Sequence, residues 1–577
     1  MPTDHNVPSL GRRKFMKMAG GSAAAFLLFS RAARGNWNAL QPTLTTLSMF
    51  TESLPIPPVI DATQGGTFGL TMAPSFHTFH SSLPAAPTWG YGGASYLGPT
   101  FNARRGVPIS VSAFNDLHGH PLDFAIDTGL HGALETDRTD PRASLHLHGG
   151  NTEPESDGHP VDTFLPGHGK TYHYANDQEA AGLWYHDHAL GITRLNVMAG
   201  LAGYYLMRDD HDTGMHDNPI GLPAGEYEVP LVIQDRMFDE IGRMAYPPGP
   251  LQTWAPEFFG DVAIVNGKAF PNLNVARGLY RFRVLNGSNA RVYGLYLSNG
   301  RTFFQIGGDG GLLNAPVPIS HLTLAPGERA DLLIDFSGDA PGTLVTLKNR
   351  APVPFPDGPR NPRQGGVPLR DIMQFTVAAG VGFDGLVPAF LRETPIVPLT
   401  APVRVRNVSL VELMDMERDE PLMALLNNLP WDTDLIEQPV VDTVEQWNII
   451  NTTGDTHPIH LHLVQFQLLS RQKFRVGSYL EAFYDELGHG SPGPYPAPSA
   501  ESFRVGRPKI AEPNEAGWKD TIQANPGEIT SILVPFGANA APAVPFGNSF
   551  TGDYVWHCHI LEHEDNEMML PYKVIAN

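Results

Sequence analysis

The chain repeats one local pattern three times, and this repeat limits the folds open to it more than any other sequence feature. Each copy has a strand-like segment that ends in Asn and, after further strand-like segments, a Pro-Gly turn before another strand. The copies are residues 107–115 with Pro166-Gly167, 280–286 with Pro326-Gly327, and 444–451 with Pro526-Gly527. We predict one β-sandwich repeated three times, with domains near residues 40–212, 225–385 and 400–577.

The composition favours an all-β protein with short strands and many turns. The 577 residues include 59 Gly and 53 Pro, and only 17% of the residues are charged. The net charge of −21 argues against nucleic acid or an anionic membrane as a partner. No interior stretch reaches the roughly 18 consecutive apolar residues that a membrane span needs. We expect an acidic, monomeric protein with no membrane span in the mature chain.

Residues 1–35 are predicted to be an export signal. Arg12-Arg13 precede an apolar run, residues 18–29, that is short for a membrane span. This order resembles a twin-arginine signal, although Gly11 stands where Ser or Thr is usual, and the alternative is a basic amphipathic arm. The resemblance implies a periplasmic or extracellular protein. Because the chain has one cysteine, no internal disulfide can form, so Cys558 needs another explanation.

Ten of the 23 histidines fall in four short windows. Residues i and i+2 of a strand project from one face, so each His-x-His offers two imidazoles to a common point. Two such pairs from the first predicted domain and two from the third would bring eight imidazoles to one interdomain cleft, enough for a metal cluster. The eight paired histidines are His146, His148, His186, His188, His460, His462, His557 and His559, and the windows also contain His457 and His563. At the positions of His457, His460 and His462 the middle repeat has Val292, Leu295 and Leu297, so we expect a structural spacer there.

The last window adds a second kind of site. His557 and His559 point to one side of their predicted strand, and Cys558 points to the other. A thiolate with two histidines and a distant Met is the ligand set of a blue-copper site, and His457, His563 and Met568 could complete it. We expect Pro458 to break its strand, so that His457 need not face the same way as His460 and His462.

These windows resemble the copper-ligand motifs of the three-domain multicopper oxidases, and most of all those of the spore-coat laccases and bilirubin oxidases. The local match includes Trp184-Tyr185 and residues 517–523 and 556–569. The resemblance implies three cupredoxin-like Greek-key β-sandwich domains and four copper ions. It assigns the type 1 copper to His457, Cys558, His563 and Met568, the type 2 copper to His146 and His460, and the type 3 pair to His148, His186, His188, His462, His557 and His559.

The resemblance also implies an activity. A laccase-like enzyme takes single electrons from a small phenolic or related aromatic substrate, or from a metal ion, and reduces dioxygen to water with four of them. His563 would lie where electrons enter. Asp157 and Glu564 match acidic positions that supply protons, and the alternative for each is a solvated loop carboxylate.

Three other functions remain open at this point. A cuprous or ferrous oxidase in metal tolerance would share every copper ligand, although this chain lacks a methionine-rich insertion. A bilirubin oxidase is disfavoured because Asp455 stands where many of those enzymes have Trp. A non-enzymatic cell-division protein on the same scaffold would have lost the copper ligands, whereas this chain has all of them.

Overall fold

The computed structural model describes residues 47–246, 254–358, 368–415, 420–434, 437–485 and 496–577. The predicted export signal lies outside these residues. Strands dominate the described part of the chain, and their six sheets pair into three β-sandwiches. The prediction of an all-β protein with three cupredoxin-like sandwich domains is confirmed. Within the described ranges, no helix has the length and apolar character to cross a bilayer.

The first sandwich contains nine strands and a short helix, α1 (Thr193–Ala199). Its strands are β1 (Val59–Asp61), β2 (Gly66–His77), β3 (Ala86–Tyr91), β4 (Thr100–Arg104), β5 (Ile109–Asn115), β6 (Leu145–His148), β7 (Gly169–Tyr174), β8 (Gly182–Asp187) and β9 (Ala202–Arg208). One sheet has the order β1-β4-β9-β8-β6 and the other β3-β2-β5-β7. Along β5, Ile109, Val111 and Ala113 are buried and alternate with more exposed residues, because one face of the strand covers the core.

The described part of the second sandwich contains twelve strands. They are β10 (Glu228–Arg236), β11 (Val262–Val265), β12 (Lys268–Ala269), β13 (Asn272–Arg277), β14 (Leu279–Asn286), β15 (Tyr293–Leu297), β16 (Phe303–Gly308), β17 (Gly311–Ile319), β18 (Leu322–Leu324), β19 (Arg329–Asp335), β20 (Leu344–Asn349) and β21 (Asp371–Val381). The orders are β12-β11-β10-β14-β19-β16-β17 and β13-β21-β20-β15-β18. The core of this sandwich continues into the first one, so the two domains share a hydrophobic interface.

Among its described residues, the third sandwich contains nine strands and two α-helices, α2 (Val476–Asp485) and α3 (Leu561–Glu564). The strands are β22 (Arg404–Asp415), β23 (Glu420–Leu426), β24 (Val444–Asn451), β25 (His457–Leu461), β26 (Gln467–Lys473), β27 (Thr521–Ala524), β28 (Glu528–Pro535), β29 (Gly552–Cys558) and β30 (Met569–Val574). The orders are β23-β22-β24-β28-β26 and β27-β25-β29-β30. The smaller sheet carries the histidine windows of this domain.

The Asn that ends each repeated strand makes the same hydrogen bonds in all three domains. Its Nδ2 donates to the carbonyl two residues before the Pro-Gly proline, and its Oδ1 accepts from the backbone N–H two residues ahead. The Gly of the Pro-Gly turn has a positive φ and donates its N–H to the backbone carbonyl of the same Asn. The residues concerned are Asn115 with Gly167, Asn286 with Gly327, and Asn451 with Gly527. Asn recurs because its side-chain amide hydrogen-bonds to backbone groups of two separate segments, and Gly recurs because it adopts a positive φ without steric cost.

Candidate metal centres

Two pairs of antiparallel strands carry the four histidine windows. In the first domain β6 pairs with β8 and places His146 opposite His186. In the third domain β25 pairs with β29 and places His460 opposite His557. Directly opposed residues of an antiparallel pair share a face of the sheet, so each strand pair presents its imidazoles together.

The structure brings the eight paired histidines into one buried group between the first and third domains, the eight-histidine cluster. The imidazoles of His148 and His460 stack with centroids 3.6 Å apart, and those of His146 and His462 stack at 3.8 Å. Three trios have ring nitrogens that all lie within 4.8 Å of one another. These trios are His146, His148 and His460; His148, His186 and His559; and His188, His462 and His557.

The ring nitrogens of this cluster fit metal ions. Several are buried and have no hydrogen-bond partner among the described residues: Nε2 of His146, His186 and His460, Nδ1 of His148, and both nitrogens of His559. Burial lowers the pKa of these histidines, for His186 to about 3, so the rings are neutral and carry a free lone pair. Buried nitrogens are rarely left unpaired in proteins, and a metal ion would satisfy them.

Hydrogen bonds on the opposite side of several rings fix which nitrogen faces the cluster. His146 donates from Nδ1 to the Asp157 carbonyl at 2.6 Å, and His186 donates from Nδ1 to the Asp187 carbonyl at 2.8 Å. His460 donates in the same way to the Asp520 carbonyl at 2.8 Å. In these three residues the Nε2 lone pair is therefore the one directed at the cluster.

A second centre lies on the other face of β29. The Cys558 Sγ lies 3.5 Å from His457 Nδ1 and 3.9 Å from His563 Nδ1, and these two nitrogens are 3.3 Å apart. Met568 is buried in the same hydrophobic core, and its carbonyl accepts a hydrogen bond from the Cys558 N–H at 3.0 Å. Burial raises the pKa of the Cys558 thiol, and a bound soft cation would stabilise the thiolate instead. The Cys558 thiol and the imidazoles of His457 and His563 fit a blue-copper site.

The expected strand break at Pro458 is wrong. Pro458 lies inside β25 and pairs with Gln523 of β27. His457 and His460 face opposite sides of the sheet for a simpler reason, because they are three residues apart on one strand. Strand alternation alone therefore sends His457 to the cysteine centre and His460 to the eight-histidine cluster.

The two predicted proton carriers are buried beside the cluster. Asp157 Oδ2 accepts a hydrogen bond from His462 Nδ1 at 2.6 Å. Glu564 Oε2 lies 3.1 Å from His557 Nδ1, and its Oε1 lies 3.4 Å from His188 Nδ1. Neither side chain is a solvated loop carboxylate, because both carboxyl groups are fully buried.

Two further carboxylates lie at the centres, and no sequence pattern predicts a role for them. Asp520 Oδ1 lies 3.0 Å from His148 Nε2. Asp520 belongs to the family motif at residues 517–523, but the motif match itself assigns no role to this side chain. Glu412 Oε1 lies 3.6 Å from His457 Nε2. No sequence signal marks Glu412, which lies 45 residues before His457 on a different strand.

Glu412 is part of a group of four carboxylates beside the cysteine centre, the acidic cluster (Glu257, Glu412, Asp455 and Glu562). Burial, and then repulsion from Asp455, raises the pKa of Glu412 to about 8. Burial and the charges of the other three members raise the pKa of Glu257, which is 5% exposed and receives no hydrogen bond from a described residue. The cluster therefore concentrates buried acidic groups, and Glu412 is the member that approaches His457.

Comparisons with known proteins agree with the geometry. The sequence profiles of the multicopper oxidase family match residues 135–212 and 403–577. The chain is 38% identical to the laccase of Bacillus subtilis over 554 residues, which cover 92% of this chain and 99% of the relative. It is 37% identical to a multicopper oxidase of Arabidopsis thaliana, with 86% of each chain covered.

A solved laccase structure from Pediococcus acidilactici superimposes with a TM-score of 0.69 at 26% identity, and covers 93% of this chain and 96% of its own. The family profiles, the curated relatives and the fold all lead to one assignment. The chain belongs to the multicopper oxidases and is a copper-dependent, laccase-like oxidoreductase.

Proposed function

We propose that this enzyme oxidises phenolic and related aromatic substrates one electron at a time and reduces dioxygen to two molecules of water. The observation that carries the proposal is the position of Cys558, which belongs to the cysteine centre while its neighbours His557 and His559 belong to the eight-histidine cluster. The similarity to the Bacillus subtilis laccase supports the substrate class.

In this proposal the twelve ligands hold four copper ions. The type 1 copper would be held by His457, Cys558, His563 and Met568, the type 2 copper by His146 and His460, and the type 3 pair by His148, His186, His188, His462, His557 and His559. Bound copper would supply the one-electron transfers and the reduction of dioxygen.

The protein itself supplies a covalent path between the two centres, a cluster shielded from bulk water, and carboxylates that can carry protons. The peptide units on either side of Cys558 join the two centres through buried covalent bonds. The closed histidine shell excludes bulk water, which strengthens the electrostatic interactions inside it. Asp157 holds the Nδ1 proton of His462, and Glu564 is placed to hold a proton between His188 and His557.

Oxygen uptake by the copper-loaded protein tests the proposal. With substituted phenols we expect uptake of one dioxygen for every four electrons removed, without accumulation of hydrogen peroxide. A protein that binds four copper ions but consumes no oxygen with any phenol would contradict the proposed substrate class.

A second candidate function is oxidation of ferrous ion, and the acidic cluster favours it. Burial, and then the charge of neighbouring carboxylates, raises the pKa values of Glu257, Glu412 and Asp455. Carboxylates bind hard cations, and a cation bound among these three groups would favour their charged forms. Asp357 is exposed and interacts electrostatically with Asp455, so acidic groups extend from the surface toward His457. The 3.6 Å approach of Glu412 to His457 would place such a cation near the cysteine centre.

Glu257→Gln separates the two candidate functions. If the acidic cluster binds ferrous ion, this variant should raise the KM for Fe(II) at least tenfold and leave phenol oxidation unchanged. Asp553→Asn, which removes an exposed carboxylate of the third domain, is the control. Equal Fe(II) kinetics in both variants would exclude the acidic cluster as a substrate site.

We also propose that the protein is exported through its twin-arginine-type signal and acts as a monomer. The Arg12-Arg13 pair and the short apolar run after it support export. Cell fractionation of the native chain and of Arg13→Lys tests the export route. Light scattering on the purified protein measures its molar mass and so tests the proposed monomer. Cytoplasmic retention of the native chain would reject the export proposal.

A further inference from the structure

The middle domain supplies no predicted copper ligand, yet one of its side chains reaches the histidine cluster. Arg329 is the first residue of β19, directly after the Pro-Gly-Glu turn, and is 3% exposed. Its guanidinium lies where the three domains meet. It contacts the backbone of Gly182 in the first domain and the carboxylate of Asp520 in the third.

All five N–H donors of this guanidinium are used. Nε donates to the Gly182 carbonyl at 2.9 Å, and Nη1 and Nη2 each donate to one backbone carbonyl, that of Gly327 at 3.0 Å and that of Asp309 at 3.1 Å. The remaining two donors bind the Asp520 carboxylate in a bidentate pair, at 2.7 Å to Oδ1 and 2.5 Å to Oδ2. A bidentate pair fixes the plane of a carboxylate as well as its position.

Asp520 in turn holds two imidazoles of the cluster. Its Oδ1 lies 3.0 Å from His148 Nε2, and its backbone carbonyl accepts from His460 Nδ1 at 2.8 Å. When His148 donates from Nε2, its Nδ1 lone pair faces the cluster, and Nδ1 is the nitrogen of His148 without a partner. This tautomer is opposite to that of His146 and His186, which donate from Nδ1 to backbone carbonyls.

The fold itself does not require an arginine here. The equivalent turn of the third domain reads Pro526-Gly527-Glu528-Ile529, with Ile529 at the position of Arg329. The two turns make the same Asn and Gly hydrogen bonds. The turn does not need an arginine at this position. The contacts of the guanidinium, above all its bidentate pair with Asp520, explain why an arginine is present.

We propose that Arg329 is a positioning residue for the histidine cluster: it clamps Asp520 so that Asp520 selects the His148 tautomer with Nδ1 toward the metal. This inference rests on the proposed copper assignment. It gives the ligand-free middle domain a direct part in building a centre between its two neighbours. Second-sphere partners of this kind typically change metal affinity or activity by roughly 10–100-fold.

The test compares copper-reconstituted Arg329→Met with the native protein and with Arg283→Met. Arg283 is a matched control, because it is another buried arginine of the middle domain whose ion-pair partners are Asp212, Glu228 and Asp331. For Arg329→Met we expect the blue absorption of the thiolate-bound copper to persist. Because His148 is assigned to the type 3 pair, that pair should lose the magnetic coupling that hides it from EPR, so a new signal should appear or fewer than four copper ions should bind per chain. The type 2 signal should change as well, because the Asp520 carbonyl holds His460. Arg283→Met should retain the native signals.

Arg329→Lys tests the inference even if the Met variant does not fold. Lysine keeps the charge but cannot bind both carboxylate oxygens in a plane, so we expect native blue absorption with altered EPR signals of the type 2 and type 3 copper ions. The inference would be overturned by an Arg329→Lys spectrum in which the type 2 signal is native and the type 3 pair stays EPR-silent, or by equal loss of all copper types in both Met variants. Failure of the native protein to bind four copper ions would instead overturn the proposed function and, with it, this inference.

Discussion

At the scale of single residues, Cys558 divides the chemistry of the protein in two. Its side chain lies with His457 and His563, and the neighbouring histidines turn to the opposite face of β29. Cys558→Ser should abolish the blue absorption and the oxidase turnover, because a hydroxyl does not replace a thiolate as a soft ligand. The eight-histidine cluster should still bind its copper ions, which EPR and metal analysis can measure. Native rates of phenol oxidation in this variant would refute the connection between the centres.

Glu564 provides a second prediction for a single residue. Its carboxylate is buried against His188 and His557. Glu564→Gln keeps the shape but removes the acid, so we expect reoxidation of the reduced enzyme by dioxygen to slow at least tenfold. The blue absorption should stay unchanged. Stopped-flow reoxidation measures the effect, with Asp553→Asn as the control for loss of an exposed acid, and unchanged reoxidation would reject the proton role.

The grouping of the histidines and of Cys558 could be predicted from the sequence because strand alternation turns short-range spacing into geometry. The role of Met568 as a ligand stays a prediction. The sequence did not reveal Arg329, which acts on His148 through Asp520. These residues lie far apart along the chain, and an isolated buried charge has no periodicity to mark it. Only the packing of three domains brings such second-sphere residues together.

At the scale of the structural element, the repeated Asn turn is the unit from which each domain is built. Asn286 is fully buried, and its amide makes hydrogen bonds to Arg291, Leu324 and Ser288. The Asn-to-Pro-Gly pattern was visible in the sequence because turns require particular residues. The sequence did not specify which strands are neighbours in the sheets, since pairing depends on contacts between distant segments.

Asn286→Ala should destabilise the protein by about 2 kcal/mol or more, because it leaves two buried carbonyls and one N–H without partners. Urea unfolding of the metal-free protein measures the change. Asn299→Ala, which removes an exposed turn asparagine of the same domain, is the control and should have little effect. Equal stability of the two variants would mean that the turn does not depend on this amide.

At the scale of the whole molecule, a buried ionic network joins the first two domains. Arg208, from β9, forms an ion pair with Glu228 of β10, and Glu228 also binds Arg281 and Arg283 of β14. Although burial opposes it, attraction to these three arginines lowers the pKa of Glu228 from 4.5 to about 2. The charged form of Glu228 is therefore favoured in the folded protein.

The sign of the pH effect follows from this lowered pKa. The stabilisation is fully present above about pH 4.5 and is lost as the pH falls through about 2. We expect acid to lower the urea midpoint of the metal-free native protein across this window. Glu228→Gln, which cannot titrate, should lose less stability over the same interval. Parallel loss in both proteins would show that other groups govern acid unfolding.

The origin of the eight histidines in two distant parts of the chain has a consequence for biogenesis. Four come from residues 146–188 and four from residues 460–559, so a ribosome must synthesise more than 270 further residues before the first half of the cluster meets the second. A nascent first domain can offer only half of the histidines of the cluster. The middle domain then acts as a tether that raises the effective concentration of one half near the other. The complete cluster can therefore form only after all three domains have been synthesised and have packed together. A truncated chain would lack half of the histidines and could not bind the full set of copper ions.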